Sequence, residues 1–169
     1  MKKELLILIF IIIGLFFIFP EKNIFSASTI LVVIDESENG EIVVNEAPIS
    51  DGIFNALWEN DQIIFFDMRI QNHLEFNDKN LDINPFISDA KIAGADSILL
   101  IKVDYLFKEE KNNYILNIKE YYYNFYSINE ARSLIAGKKK LVYNKKIDKR
   151  EKKNLLNQFG SRIINEIYR

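Results

Sequence analysis

Residues 35–46, DESENGEIVVNE, place oxygen-bearing side chains where a calcium loop needs them. Asp35, Ser37 and Asn39 fall at positions one, three and five of that stretch, Gly40 at six, Ile42 at eight and Glu46 at twelve. Alternate oxygen ligands on a tight loop, closed by a bidentate glutamate, suit a hard divalent cation in helix–loop–helix calcium sites. The flanks point elsewhere. TILVVI before the loop is β-branched, Pro48 stands where an exiting helix would run, position nine is Val43, and no second loop of this kind follows. A polar turn after a strand is the competing reading. Ca2+ through Asp35, Ser37, Asn39 and Glu46 is the one cofactor the sequence suggests.

Other chemistry is thinly supported. His73 is the single histidine, too few for a zinc site without unusual carboxylate support, and no serine sits in a nucleophile turn. Gly40, Gly52, Gly94, Gly137 and Gly160 are scattered, so no phosphate-cradling loop forms. The chain has no cysteine, which removes disulfides, thiolate catalysis, Cys-based metal sites and a lipid-attachment cysteine. Asp67 and Asp104 lie on segments that read as strands. They are either the acid–base pair of a hydrolase acting on envelope polymers, which needs a deep acidic cleft, or partners for Arg69 and Lys102. No catalytic or cofactor-binding residue is otherwise expected.

Recognition chemistry is better represented. KEYYYNFYSI, residues 119–128, holds four tyrosines and a phenylalanine, and three lysines follow at 138–140. Residues 29–110 carry 17 acidic and 5 basic side chains, whereas residues 111–169 carry 5 acidic and 14 basic. Basic tracts attract acidic partners, anionic lipid or phosphate, unless the two halves neutralise each other in the fold. Tyr122, Tyr126, Lys138, Lys139 and Lys140 are the candidate partner-binding residues.

The elements that must position these groups follow from periodicity. TILVVID, residues 29–35, is apolar on both faces and reads as a buried strand, followed by ESENGE as a polar turn. PISDGIFNALWEND has helical spacing, with Ser50 or Asp51 as cap and Ile53, Phe54, Leu57 and Trp58 on one side. Residues 62–70 alternate as a strand. Asn84 caps a helix that Pro85 opens and Gly94 closes. Residues 96–107, 114–127 and 132–144 read as strands joined by hairpin-type turns. Asp148 and Glu151 form a capping pair before a final helix with the stripe Leu156, Phe159, Ile163 and Ile167. Along residues 114–127 the apolar parity changes: Leu116 and Ile118 are even, Tyr121, Tyr123 and Phe125 odd. That predicts a bulge near Glu120. The expected order is β-α-β-α-β-β-β-α in one α/β (α+β) domain, a mixed sheet with late antiparallel hairpins and helices packed on it.

The first 28 residues stand apart. Lys2 and Lys3 precede fifteen uncharged residues, 5–19, and Ser26-Ala27-Ser28 offers small side chains for cleavage. This is the pattern of a secretory signal peptide. The alternative is an uncleaved inner-membrane anchor through residues 5–19, although fifteen helical residues reach only about 22 Å. Residues 29–169 then form a single exported, periplasmic domain, for which nucleic acid is not a partner.

TILVVIDESENG, DGIFNALWEND, IIFFDM and AKIAGADSILLIKVDYL together resemble the strand–loop–helix–strand opening and second helix of TolB amino-terminal, CsgG and LpoB-like bacterial periplasmic domains. The resemblance implies an envelope protein without catalytic residues that assembles or activates larger machinery. The lipid-attachment cysteine and the long membrane insertions of CsgG are missing here, so neither outer-membrane anchoring nor a secretion pore is implied. The reading is an exported, non-catalytic protein-binding or assembly module whose partner is another envelope protein. The alternatives are a calcium-binding protein and a carboxylate hydrolase.

Overall fold

The computed structural model describes residues 28–43, 46–66, 81–110 and 113–168. The leader before Ser28, Asp67, Arg69 and His73 lie outside the described residues. Among those described, no helix is long and apolar enough to cross a membrane.

β1 (Thr29–Glu38) carries five consecutive apolar residues, and all are buried. Both faces are covered: Ile30, Val32 and Ile34 enter one core, Leu31 and Val33 a second. The strand runs three residues beyond its expected end at Asp35. Glu36 and Ser37 read as turn residues, yet both are buried; Glu36 accepts from the start of the helix above it, and the Ser37 hydroxyl donates to Asp35. The turn is Asn39-Gly40 alone, with φ of 54° and 86°, the two positive values a two-residue hairpin requires. It leads into β2 (Glu41–Ile42), which pairs antiparallel with β1.

α1 (Pro48–Glu59) starts on proline, whose missing N–H costs nothing in a first turn. Neither Ser50 nor Asp51 is its cap; Ala47 holds that position and offers no side-chain bond. Ile49, Ile53, Ala56 and Leu57 are buried, whereas Trp58 is 74% exposed. One residue beyond Leu57 turns the side chain about 100° away from the buried arc. β3 (Ile63–Phe65) pairs parallel with β1 and is the described part of the strand expected over 62–70.

α2 (Asn84–Ala93) has proline in its first turn, and Gly94 ends it at a φ of 71°. Its cap is Ile83 rather than Asn84. β4 (Ser97–Glu110), β5 (Asn113–Ser127) and β6 (Arg132–Ile147) then form an antiparallel meander, with β4 also parallel to β1. Asp148 accepts from the Arg150 backbone N–H and caps a 3-10 turn (Lys149–Glu151), which runs into α3 (Lys152–Ile167). The sheet order is β2-β1-β4-β5-β6, with β3 beside β1. One α/β domain with a mixed sheet results, in the expected order with one short strand added.

The bulge lies where the parity change placed it. Val103 faces Tyr121 while Tyr105 faces Ile118, and the β5–β6 register also shifts between Ile118 and Glu120. The extra residue in β5 lets Leu116, Ile118, Tyr121 and Phe125 enter the same core despite opposite parity. That core lies under α1 and α3; a smaller one lies under α2 on the opposite face. α1 and α3 cross at glycines. A Cβ on Gly52 would collide with the Asn157 carbonyl, and one on Gly160 with the Ile49 carbonyl.

Candidate interaction surface

Side chains opposite one another on antiparallel neighbours share a face of the sheet. Tyr121 faces Lys139, Tyr122 faces Lys138, and Glu120 faces Lys140. The lysine run is therefore split: Lys138 and Lys140 lie on the face of Tyr122, and Lys139 on the face of α3. Consecutive strand residues alternate, so three adjacent lysines cannot share one surface.

On the α3 face, Tyr121 is buried and donates its hydroxyl to Glu166 Oε2 at 2.6 Å. Lys139 Nζ reaches the same oxygen at 2.8 Å, and Arg162 Nε reaches Oε1 at 3.0 Å. The bond from Lys139, reinforced by that from Tyr121, lowers the Glu166 carboxyl to about 2. Burial and then Glu166 push the Tyr121 phenol up. Lys139 thus helps to seat α3 on the sheet.

On the other face, Tyr122 donates to Glu120 Oε1 at 2.7 Å, and Lys138 Nζ bonds Glu120 Oε2 at 2.6 Å. Lys138 also stands 4.9 Å from the centroid of the Tyr122 ring. Its bond holds the Glu120 carboxyl below the usual range. The three side chains fix one another: a ring whose rotamer is set at its hydroxyl end, with a cation over its face. Lys140 is exposed beside them and has no ion pair among the described residues. Tyr126 shares this face but packs against the α2 core. The structure therefore assembles Tyr122, Lys138 and Lys140, adds Glu120, and separates Tyr126 and Lys139. The missed member was visible as the residue two before Tyr122, on the same face of the strand.

Three of the calcium candidates, Asp35, Ser37 and Asn39, sit on the β1–β2 hairpin, and Glu46 lies just before α1. Asp35 is 3.4 Å from Lys102 and accepts from the Ser37 hydroxyl at 3.3 Å; burial pushes its carboxyl up despite the lysine. Asn39 spends both ends of its amide on one backbone unit: Nδ2 donates to the Phe107 carbonyl at 3.0 Å, and Oδ1 accepts from the Phe107 N–H at 2.9 Å. Glu46 is exposed, with a φ of 54°. No group of three or more His, Cys, Asp or Glu able to hold a metal ion occurs among the described residues. Asp104 is exposed on β4 opposite Ser37. Lys102, the surface partner expected for it, bonds Asp35 instead.

Two carboxylates that attracted no attention in the sequence hold the fold together. Glu36 is 2% exposed and accepts from the N–H groups of Ile49 and Ser50, at 3.3 and 2.9 Å, and from the Ser50 hydroxyl at 2.9 Å. It caps α1 from the sheet. Glu38 binds Lys152 through both oxygens, at 2.6 and 2.7 Å, and accepts from the Tyr105 hydroxyl at 3.1 Å. Lys152 lies 4.2 Å over the Phe107 ring and ties the start of α3 to β1. The only available signal was parity: both glutamates continue the Ile30, Val32, Ile34 face.

No protein-family model matches the chain, and no curated protein matches it in sequence. Solved structures do. The PelC dodecamer from Paraburkholderia phytofirmans is 6% identical, with 82% of this chain and 85% of that chain covered at a TM-score of 0.52. A hypothetical protein from Chlamydia trachomatis is 10% identical, with 85% and 96% covered at 0.52. The resemblance read from the sequence included LpoB, and the LpoB C-terminal domain from Salmonella enterica is also among the matches, 19% identical, with 72% and 87% covered at 0.44. At these identities what the chain shares with the two structures matched at 0.52 is the fold.

Proposed function

We propose that this chain is an exported, non-catalytic α/β module that binds another protein of the bacterial envelope. The observation that carries this reading is the Tyr122–Glu120–Lys138 cluster. It is a prearranged ring and cation on the sheet face away from α1 and α3, and Lys138 is 42% exposed. Aromatic residues held in one rotamer lose little entropy on docking, which is why they anchor protein interfaces.

Two further observations support it. The apolar stretch over residues 5–19 gives the route out of the cytosol. Glu36, Glu38, Glu120 and Glu166 are each engaged in holding structure together rather than presented to a cleft.

The reading is tested by placing a photo-crosslinking amino acid at Lys140, and separately at Asn165 on the opposite side of the sheet, in the cells that make the protein. The expected result is a discrete adduct with an envelope protein from position 140 and none from position 165. Adducts with cytoplasmic proteins, equal yields from both positions, or no adduct at all would overturn it.

A further inference from the structure

The geometry points to the outer edge of β6 as the docking strand for an acidic, extended segment of the partner, which adds itself to the sheet. This rests on the reading above and specifies how the partner is held. β6 pairs only with β5 among the described residues, so alternate N–H and C=O groups along Arg132–Ile147 point away from the sheet. Residues 131–138 and Lys140 are all exposed, so neither flank of that edge is covered. No proline interrupts it. At Gly137 the Tyr123 hydroxyl lies 3.0 Å from where a Cβ would stand, and register shifts opposite Ile118–Glu120 and Phe125–Tyr126 leave Ile135–Lys140 as a regular stretch of the edge.

Charge selects the occupant. β6 contains no acidic residue, and Arg132, Lys138, Lys139, Lys140 and Lys146 lie along it. Arg132, Lys138 and Lys139 have carboxylate partners; Lys140 and Lys146 have no ion pair among the described residues. A second β6 would set like charges against one another, which costs stability in a cross-strand pair. A strand with acidic residues on alternate positions meets cations instead, and its apolar positions meet Leu134 and Ile135, 37% and 39% exposed.

The test uses the full chain and a blocked ten-residue peptide of alternating Glu and Val, with the Lys–Val peptide as control. The Glu peptide is expected to bind, to slow hydrogen exchange at alternate β6 amides, and to weaken at least tenfold between about 50 and 200 mM salt. Lys140→Gln with Lys146→Gln, both exposed, is expected to weaken binding about threefold or more at unchanged melting temperature. Equal binding of the Lys peptide, or protection at β3 instead, overturns the inference. So does peptide-free protection of β6 that grows with protein concentration, which would make a second copy the occupant, or with anionic vesicles, which would make it lipid. If the peptide fails while position 140 still crosslinks to an envelope protein, the docking mode falls and the partner reading survives.

Discussion

Ser50 gives both its backbone N–H and its hydroxyl to the carboxylate of Glu36, a residue on a different element fourteen positions earlier. The start of α1 is buried, so water cannot satisfy its first amides, and the sheet supplies the acceptor. Glu36→Ala strands the Ile49 and Ser50 N–H groups and is expected to cost about 3 kcal/mol. Ser50→Ala loses one donation and keeps the backbone bond, at about 1 kcal/mol. Urea denaturation checks the order. A larger loss for Ser50→Ala would mean the helix start is held by something other than Glu36.

The crossing of α1 and α3 depends on two missing side chains. Gly160→Ala and Gly52→Ala each force a methyl group into a backbone carbonyl of the other helix, which cannot swing aside. Alanine's better helix propensity returns less than about 1 kcal/mol, against an overpacking cost of about 3. Each change should therefore lower stability by about 2 kcal/mol net. Gly137→Ala, where the neighbour is the mobile end of Tyr123, should stay under about 1 kcal/mol. Thermal melts of the three variants separate a rigid crossing from an adjustable one.

Much of this fold was legible because alternation and helical spacing are local properties. The parity break around Glu120 announced the bulge, and the stripe on α3 placed its buried face. Glu36 and Glu38 were not legible as structural residues, because a glutamate after an apolar run looks like a turn until a helix is seen above it. The candidate site was half legible. Tyr122 and Lys138 came together as expected, but Lys139 needed only strand alternation to be placed on the other face. Glu120 was placed on the face of Tyr122 by alternation, but its bond to Lys138 required the register of β6, which no local pattern supplies.

Acid should loosen the docking of α3. Glu166 is lowered from an ordinary value of 4.5 to about 2, chiefly by Lys139 and then Tyr121. Between those values the unfolded chain binds the proton and the folded chain does not, so stability rises with pH there. The contribution is complete above 4.5 and lost as the pH falls through about 2. It amounts to about 1 kcal/mol once solvent screening is allowed for. Glu36 acts oppositely: burial raises it, so its contribution is full below 4.5 and fades as the pH rises through its folded value. Glu166→Gln should flatten the fall in melting temperature between pH 4.5 and 2. An unchanged slope would show that the Lys139 bond does not persist in solution.

Asn39 separates the hairpin from the calcium loop with a single substitution. In a calcium loop, position five accepts either asparagine or aspartate, and the added charge strengthens binding. In the hairpin, the Asn39 amide faces both the carbonyl and the N–H of Phe107, so it needs a donor and an acceptor at once. Asn39→Asp keeps the acceptor and tolerates the positive φ, but sets a carboxylate oxygen against the Phe107 carbonyl. The expected loss is about 1–2 kcal/mol, the cost of turning one satisfied pair into a repulsive contact. Because Asp35 is bonded to Lys102 and Asn39 to Phe107, millimolar calcium should leave the melting temperature of both the native chain and the variant unchanged. A melting temperature that rises with calcium, more in Asn39→Asp than in the native chain, would instead show the hairpin opening to release these ligands.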